Sequence, residues 1–230
     1  MTTKPAINLW SSSDHAAEYL SRAESVPHRT EGESALLEFI PPSTRRILDL
    51  GTGDGRLLAL VKGELSERLR SEGTSPRVEA VAVDFSPAML EAAARRFAGD
   101  PSVTIKIHNL DYPLPDLGKV DLGKFDAVVS CFAIHHVTHE RKRALYAEIY
   151  SLLNPGGVFC NLEHVASPTE RLHDEMLSHL DKTPETEDPS NKLLDVETQL
   201  QWLREIGFAD VDCQWKWREF ALLAGRVGAS

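Results

Sequence analysis

At 230 residues the chain can bury roughly 70–75% of its unfolded surface, enough for one large domain or a core with appendages. Its 42% hydrophobic and 26% charged residues are those of a globular protein, and a net charge of −10 argues against nucleic acid, whose phosphates demand a surplus of Lys and Arg. No apolar run approaches the ~20 residues of a membrane span, and the first residues lack the apolar core of a secretory leader, so a cytoplasmic protein with no membrane contact is expected. Cys131, Cys160 and Cys213 lie far apart with no CxxC, and read as reduced packing residues.

Taken in chain order, the stretch NLWSSSDHAAEYLSRAESVPHRTEGE predicts a short amphipathic helix bearing Trp10, Tyr19 and Leu20, with His28 and Arg29 after Pro27. RILDL is the first strand, and a helix follows from about Arg56 with Leu57, Leu58, Leu60 and Val61 inward. VEAVAVD, the second strand, ends at Asp84. Ser86 and Pro87 supply an N-cap and a first-turn proline for a helix holding Met89, Leu90, Ala93 and Phe97. VTIKIHN and FDAVVSCFA are the third and fourth strands. A helix from about Glu140 to Leu153 ends at NPGG, and VFCNLEHV is the fifth strand.

The rhythm then changes. Ser167-Pro168-Thr169-Glu170 has the form of a capping box, opening a helix with Leu172, Met176, Leu177 and Leu180. The polar loop DKTPETEDPSN follows, and Asp195 caps a helix that Gly207 ends. Val211, Cys213, Trp215 and Trp217 alternate with polar residues, the period of a strand with one wet face, and EFALLAGRV is its partner. Alternating strands and helices predict an α/β fold with a parallel sheet covered on both faces.

The turn after the first strand, DLGTGDGRL, places Gly51, Gly53 and Gly55 where a backbone must bend sharply and approach a ligand. Its GxGxG spacing departs from the dinucleotide fingerprint GxGxxG, whose third glycine would fall at Arg56. Asp54 would repel a pyrophosphate at the helix start. Both features disfavour an NAD-dependent oxidoreductase and favour a ligand carrying positive charge without phosphate. Asp84, at the end of the second strand, can accept from the hydroxyls of a ribose.

ILDLGTGDGRLLAL, VAVDFSPAML, FDAVVSCFAIHHV and LLNPGGVF, in this order, resemble the successive motifs of class I S-adenosylmethionine-dependent methyltransferases. The resemblance implies a Rossmann-like seven-stranded, mostly parallel sheet whose last strand is antiparallel, with helical lid segments. It divides the chain into an N-terminal helical cap (1–45), a cofactor-binding core (46–166 and 191–230) and an inserted lid (167–190). By the same likeness Asp49, Gly51, Thr52, Gly53 and Gly55 line the methionine portion of the cofactor, Asp84 holds its ribose, and Phe85 flanks its adenine. Asn109 and Leu110 are the adenine-edge pair, with Asp111 the rival of Asn109, and Cys131 passes near the sulfonium.

His135 and His136 then stand where substrate meets methyl donor, as catalytic candidates able to take a proton from the acceptor. Packing at a strand end is the plain alternative. Metal ligation by His135 and His139 with Glu163 or His164 lacks an HExxH, so no metal is expected. Tyr19, Arg29 and His164 are the substrate candidates, while His173 and His179 read as surface residues. The expected partner is a small molecule. Relatives that turn the cofactor to other chemistry, and a catalytically silent binding subunit, are the competing readings. The tryptophan-bearing edge hairpin offers a surface on which two copies could pair as a homodimer.

Overall fold

The structure, a computed structural model, describes Trp10, Ser12, Asp14, residues 25–114 and residues 123–229. Strands β1 (Arg46–Leu50), β2 (Glu79–Asp84), β3 (Val103–Ile107), β4 (Phe125–Cys131) and β5 (Leu153–His164) run parallel. β6 (Ala209–Trp217) and β7 (Phe220–Arg226) complete one seven-stranded sheet in the order β3-β2-β1-β4-β5-β7-β6. β7 is antiparallel to both neighbours, the mostly parallel sheet with an antiparallel last strand that the motifs implied. The order reverses between β1 and β4, which opens a crevice at the carboxyl ends of the central strands.

The central strands carry apolar side chains on both faces because helices cover both. On one face, α1 (Arg29–Phe39) and α2 (Arg56–Ser71) pack Leu36, Leu58, Val61 and Leu65 against Ile47, Ala82 and Val129. On the other, α4 (His139–Leu152) and α6 (Val196–Ile206) bring Leu145, Tyr146, Ile149 and Leu203 onto Leu48, Leu50 and Phe159. α3 (Pro87–Arg96) adds buried Met89 and Ala93, and α5 (Glu170–His179) adds Met176 and Leu177. These numbers follow the elements among the described residues. Tyr19 and Leu20 lie outside them.

Several local expectations are corrected. Leu60 is 38% exposed, since it sits about 100° round the helix from Val61 and so leaves the buried stripe. The cap of α5 is Thr169, whose hydroxyl accepts from Leu172 N–H at 3.4 Å, so Ser167 and Pro168 precede the helix instead of opening it. β5 starts at Leu153, and NPGG lies inside it as an irregular stretch against Phe125 and Ala127. Ser86 occupies the cap of α3 without a side-chain bond there. Asp195 caps α6 as read, accepting from Thr198 N–H at 2.8 Å.

The close approach of α1 to the sheet rests on Gly32. A Cβ there would lie 2.8 Å from Leu162 Cδ1 and 2.9 Å from the Trp215 ring, so only hydrogen fits. This helix carries Arg29 and Glu33 toward the crevice. Gly32→Leu should therefore lift α1 and cost about 1–3 kcal/mol, the range for an overpacked core. A urea titration followed by tryptophan fluorescence reads this as a lower midpoint, and an unchanged midpoint would refute the packing argument.

Candidate active site

Between β1 and α2 the chain turns through three glycines with positive φ: Gly51 (67°), Gly53 (56°) and Gly55 (81°). Each has a different reason. A Cβ on Gly51 would stand 2.2 Å from Ala133 Cβ, and one on Gly55 would strike the Phe97 ring at 2.4 Å. Gly53 faces open space, with Met89 Sδ at 3.9 Å its nearest neighbour, so its backbone is left accessible as the floor of a cradle. Thr52 N–H donates to Val83 O at 2.9 Å, and Gly53 N–H donates to Asp84 Oδ2 at the same distance. Asp84 Oδ1 takes Ser86 N–H at 2.8 Å, so one carboxylate holds the glycine bend against the start of α3.

A cavity opens above this bend, about 870 Å³ including its mouth. Asp49, Gly51, Thr52, Gly53 and Asp84 form one side of its wall. Phe85, Asn109, Leu110 and Asp111 lie on it as well, and so does Cys131. Gly55 is absent from this wall: as the N-cap of α2 it turns toward Phe97, so its glycine requirement is one of packing. Arg29 lines this first cavity and not the one beside it, where α1 holds it by Arg29 Nε–H donating to buried Glu33 at 2.8 Å. Arg56 closes on the same Glu33 carboxylate at 2.8 Å, and Asp54 pairs with Arg96.

With those charges paired, buried acids dominate the wall. Burial, with Asp84 and Asp54 adding repulsion, pushes the Asp49 carboxyl up to about 7, although Thr52 Oγ1–H donates to it at 2.5 Å. Burial also raises Asp84, against the opposing pull of the Ser86, Gly53 and Phe85 amides. Such a site favours a ligand bearing positive charge. The open cradle at Gly53, the strand-end carboxylate of Asp84 and this acidic lining fit a sulfonium nucleoside.

A second cavity, about 1300 Å³ with its mouth, adjoins the first and shares Trp10, Phe132 and His136 with it. His135, His164 and His179 also line it, beside apolar Leu177, Leu180 and Phe220. His135 Nδ1–H donates to Glu163 Oε1 at 2.6 Å, and Glu163 is fully buried at the end of β5. Burial, reinforced by His164, holds His135 neutral well below the ordinary histidine range, and burial raises Glu163 while Lys142 opposes it. His136, also held neutral by burial, lies tilted against His135 with ring centres 3.9 Å apart.

His164 Nε2 reaches Glu219 at 2.9 Å, and the other Glu219 oxygen meets His173 Nδ1 at 3.0 Å. His173 is thus half-buried between Glu219 and Glu187 instead of lying free on the surface, whereas His179 stays exposed with its ring edge on Trp217. His139 does not join His135: it begins α4 and its Nε2 faces Leu193 O at 3.1 Å.

The sequence reading did not name Phe132 or the Glu163–His135 pair as parts of the site, and gave residues 187–190 only as part of the lid. A buried acid in an otherwise apolar β5 was the available signal for Glu163. No local pattern marks Phe132, whose φ of 51° comes from the turn it makes out of β4.

A parallel sheet with this strand order, a glycine bend and an acid at the end of β2 define a cofactor-binding transferase of the Rossmann-like kind. A methyltransferase-domain family model matches residues 48–159. Demethylmenaquinone methyltransferase of Clavibacter sepedonicus is 30% identical over 188 residues, 75% of this chain and 69% of that protein. The Thermus thermophilus protein of the same name is 36% identical over 152 residues, 65% of this chain and 59% of its own length. An O-methyltransferase family protein from Burkholderia thailandensis superposes with a TM-score of 0.69 at 19% identity, covering 96% of this chain and 62% of that one. The chain belongs to the class I S-adenosylmethionine-dependent methyltransferases: it is an enzyme of that family, with S-adenosylmethionine as cofactor and a small molecule as substrate.

Gly51→Ala adds left-handed strain of about 1–2 kcal/mol to a collision with Ala133, and should cost about 2–4 kcal/mol in all. Calorimetric melting checks it. A variant as stable as the parent would mean that the bend and the Ala133 turn do not touch.

Proposed function

We propose that the chain transfers a methyl group to a hydroxyl or amine of a small molecule seated in the second cavity, with His135 as the proton acceptor. One observation carries this reading: the two cavities meet at Trp10, Phe132 and His136, so donor and acceptor can approach through a shared wall. When bound, S-adenosylmethionine supplies an electrophilic methyl on a cationic sulfur. Asp84, Asp49 and the Gly51–Gly53 backbone hold it in the first cavity, with Phe85, Asn109 and Leu110 at the nucleoside end and Cys131 near the sulfur. Arg29 belongs to this half of the site.

His135 donates through Nδ1 to Glu163, which leaves Nε2 bare, and no protein group among the described residues meets that nitrogen. A neutral imidazole in that tautomer can take a proton from an acceptor O–H or N–H as the methyl bond forms. His164, His136 and the apolar residues Phe132, Phe220 and Leu177 give the acceptor a mixed polar and apolar seat. Residues 167–190 serve as a lid over it, and Trp10 with Ser25, Val26 and Pro27 as a cap. The demethylmenaquinone named for two relatives is one compound for the screen.

Calorimetry with S-adenosylmethionine and S-adenosylhomocysteine, then transfer of labelled methyl to a panel of phenols, amines and demethylmenaquinol, tests the proposal. Binding without transfer to any hydroxyl or amine would sink the substrate assignment. His135→Gln should lower turnover about 10²- to 10⁴-fold, the worth of a general base, while S-adenosylhomocysteine affinity stays within about twofold.

Asp49 adds a pH dependence. Its folded pKa of about 7 lies above the ordinary 3.8, so the ligand-free fold carries a proton there at pH 6, and the stability this contributes is lost as pH rises from 3.8 to about 7. A cationic ligand favours the ionised form. S-Adenosylmethionine should therefore bind more tightly between pH 5.5 and 7.5, by up to about tenfold per unit, with proton release. Asp49→Asn should flatten that slope, and a parallel slope in the variant would assign it elsewhere.

A further inference from the structure

The strongest unassigned contact lies outside the glycine-bend and strand-end motifs, in the loop between α5 and α6. Ser190 Oγ stands 2.9 Å from His136 Nδ1 and 2.7 Å from Asp188 Oδ1. A hydroxyl has one proton, and Asp188 as a carboxylate only accepts, so Ser190 donates to Asp188 and must accept from His136. Ser190 N–H also donates to the same Asp188 oxygen at 2.8 Å, which fixes the serine in place. His136 consequently carries its single proton on Nδ1. Its Nε2 is bare, buried, and without a hydrogen-bond partner among the described residues.

The loop that supplies this pair is pinned to the histidine turn. Lys192 N–H donates to His135 O at 2.8 Å, and Lys192 Nζ donates to His136 O at 2.9 Å and to Ser190 O at 3.1 Å. Lys142 Nζ holds Lys192 O at 3.1 Å from α4. His136 itself borders both cavities, while the nitrogen that this loop leaves bare is buried beside them.

We propose that Asp188 and Ser190 are positioning residues that lock the His136 tautomer, keeping Nε2 as a buried, unprotonated lone-pair acceptor in the residue that borders both cavities. The chain thus holds two adjacent imidazoles in the same protonation pattern by different means, Glu163 for His135 and the Asp188–Ser190 pair for His136. The proposal rests on the reading that these histidines face the acceptor, but it makes a claim about the free enzyme that needs no substrate.

Protein labelled with ¹⁵N-histidine tests it by long-range ¹H–¹⁵N correlation at pH 7.5, with the His136 signals assigned by their loss in His136→Gln. The expected pattern is a protonated Nδ1 and a bare Nε2 resonating far downfield. Ser190→Ala should move the proton wholly or partly to Nε2, while Ser190→Thr, which keeps the hydroxyl, should retain the original pattern. A wild-type spectrum with the proton on Nε2, or a Ser190→Ala spectrum identical to wild type, would overturn the proposal. If Ser190→Ala does not fold, the wild-type and Ser190→Thr spectra still decide it. Calorimetry with S-adenosylhomocysteine on the same samples should give unchanged affinity, and its absence in wild type would count against the methyltransfer reading alone.

Discussion

Everything in the site hangs from the carboxylate of Asp84. It closes the second strand, receives amide protons from both the glycine bend and the start of α3, and is half-buried while doing so. Two loops that leave adjacent parallel strands have no reason of their own to keep a fixed distance, since neither carries a ladder beyond the strand ends. A shared acceptor supplies that distance. The bend is thereby held open at Gly53 even without a ligand, so the cost of ordering it is met in folding rather than at binding. Glu33 does similar work on the other flank, where it gathers Arg29 and Arg56 and prevents two guanidinium groups from confronting a cationic cofactor.

The second half of the site is built on a buried polar network under β5. Glu163, His135, Lys142, Asn161 and Tyr146 all lie on or beside the end of that strand, and Tyr146 OH donates to Gln199 at 2.7 Å. A hydrophobic filling of the same volume would favour the fold more, because buried ionisable groups lose their hydration. Their presence between α4, α6 and the sheet is thus better explained by the imidazole they orient. Lys142, held down in charge affinity by burial, sits near Glu163 and limits the free energy of an isolated carboxylate.

How much of this was legible follows from which forces are local. Strand and helix positions were, because apolar periodicity records burial directly. So was the cavity wall at Asp49, Gly51, Gly53 and Asp84, because backbone turns of that kind restrict the residue types that fit. Leu60 misled because a single leucine says nothing of its angle round the helix, and Ser167 because two hydroxyl residues compete for one cap. The place of Arg29 on the first cavity was not legible, since it depends on the fit of Gly32 against Leu162 and Trp215, contacts between segments far apart in sequence. The Asp188–Ser190 contact with His136 spans 54 residues, and no spacing rule could suggest it.

Phe132 shows how the two halves are coupled. It adopts a left-handed backbone that costs a non-glycine residue about 1–2 kcal/mol, and its N–H donates to Leu162 O at 2.8 Å as the chain leaves β4. That turn throws Ala133 against Gly51 and sends Ile134–His136 across the mouth of the crevice. A relaxed extension of β4 would carry the histidines onward along the sheet, away from the bend. The strain is therefore not incidental to packing: the same rotation that opens a wall for the first cavity at Ala133 brings His136 to border both. Gly51 must lack a side chain because Phe132 turns where it does, and the two cavities adjoin for the same reason.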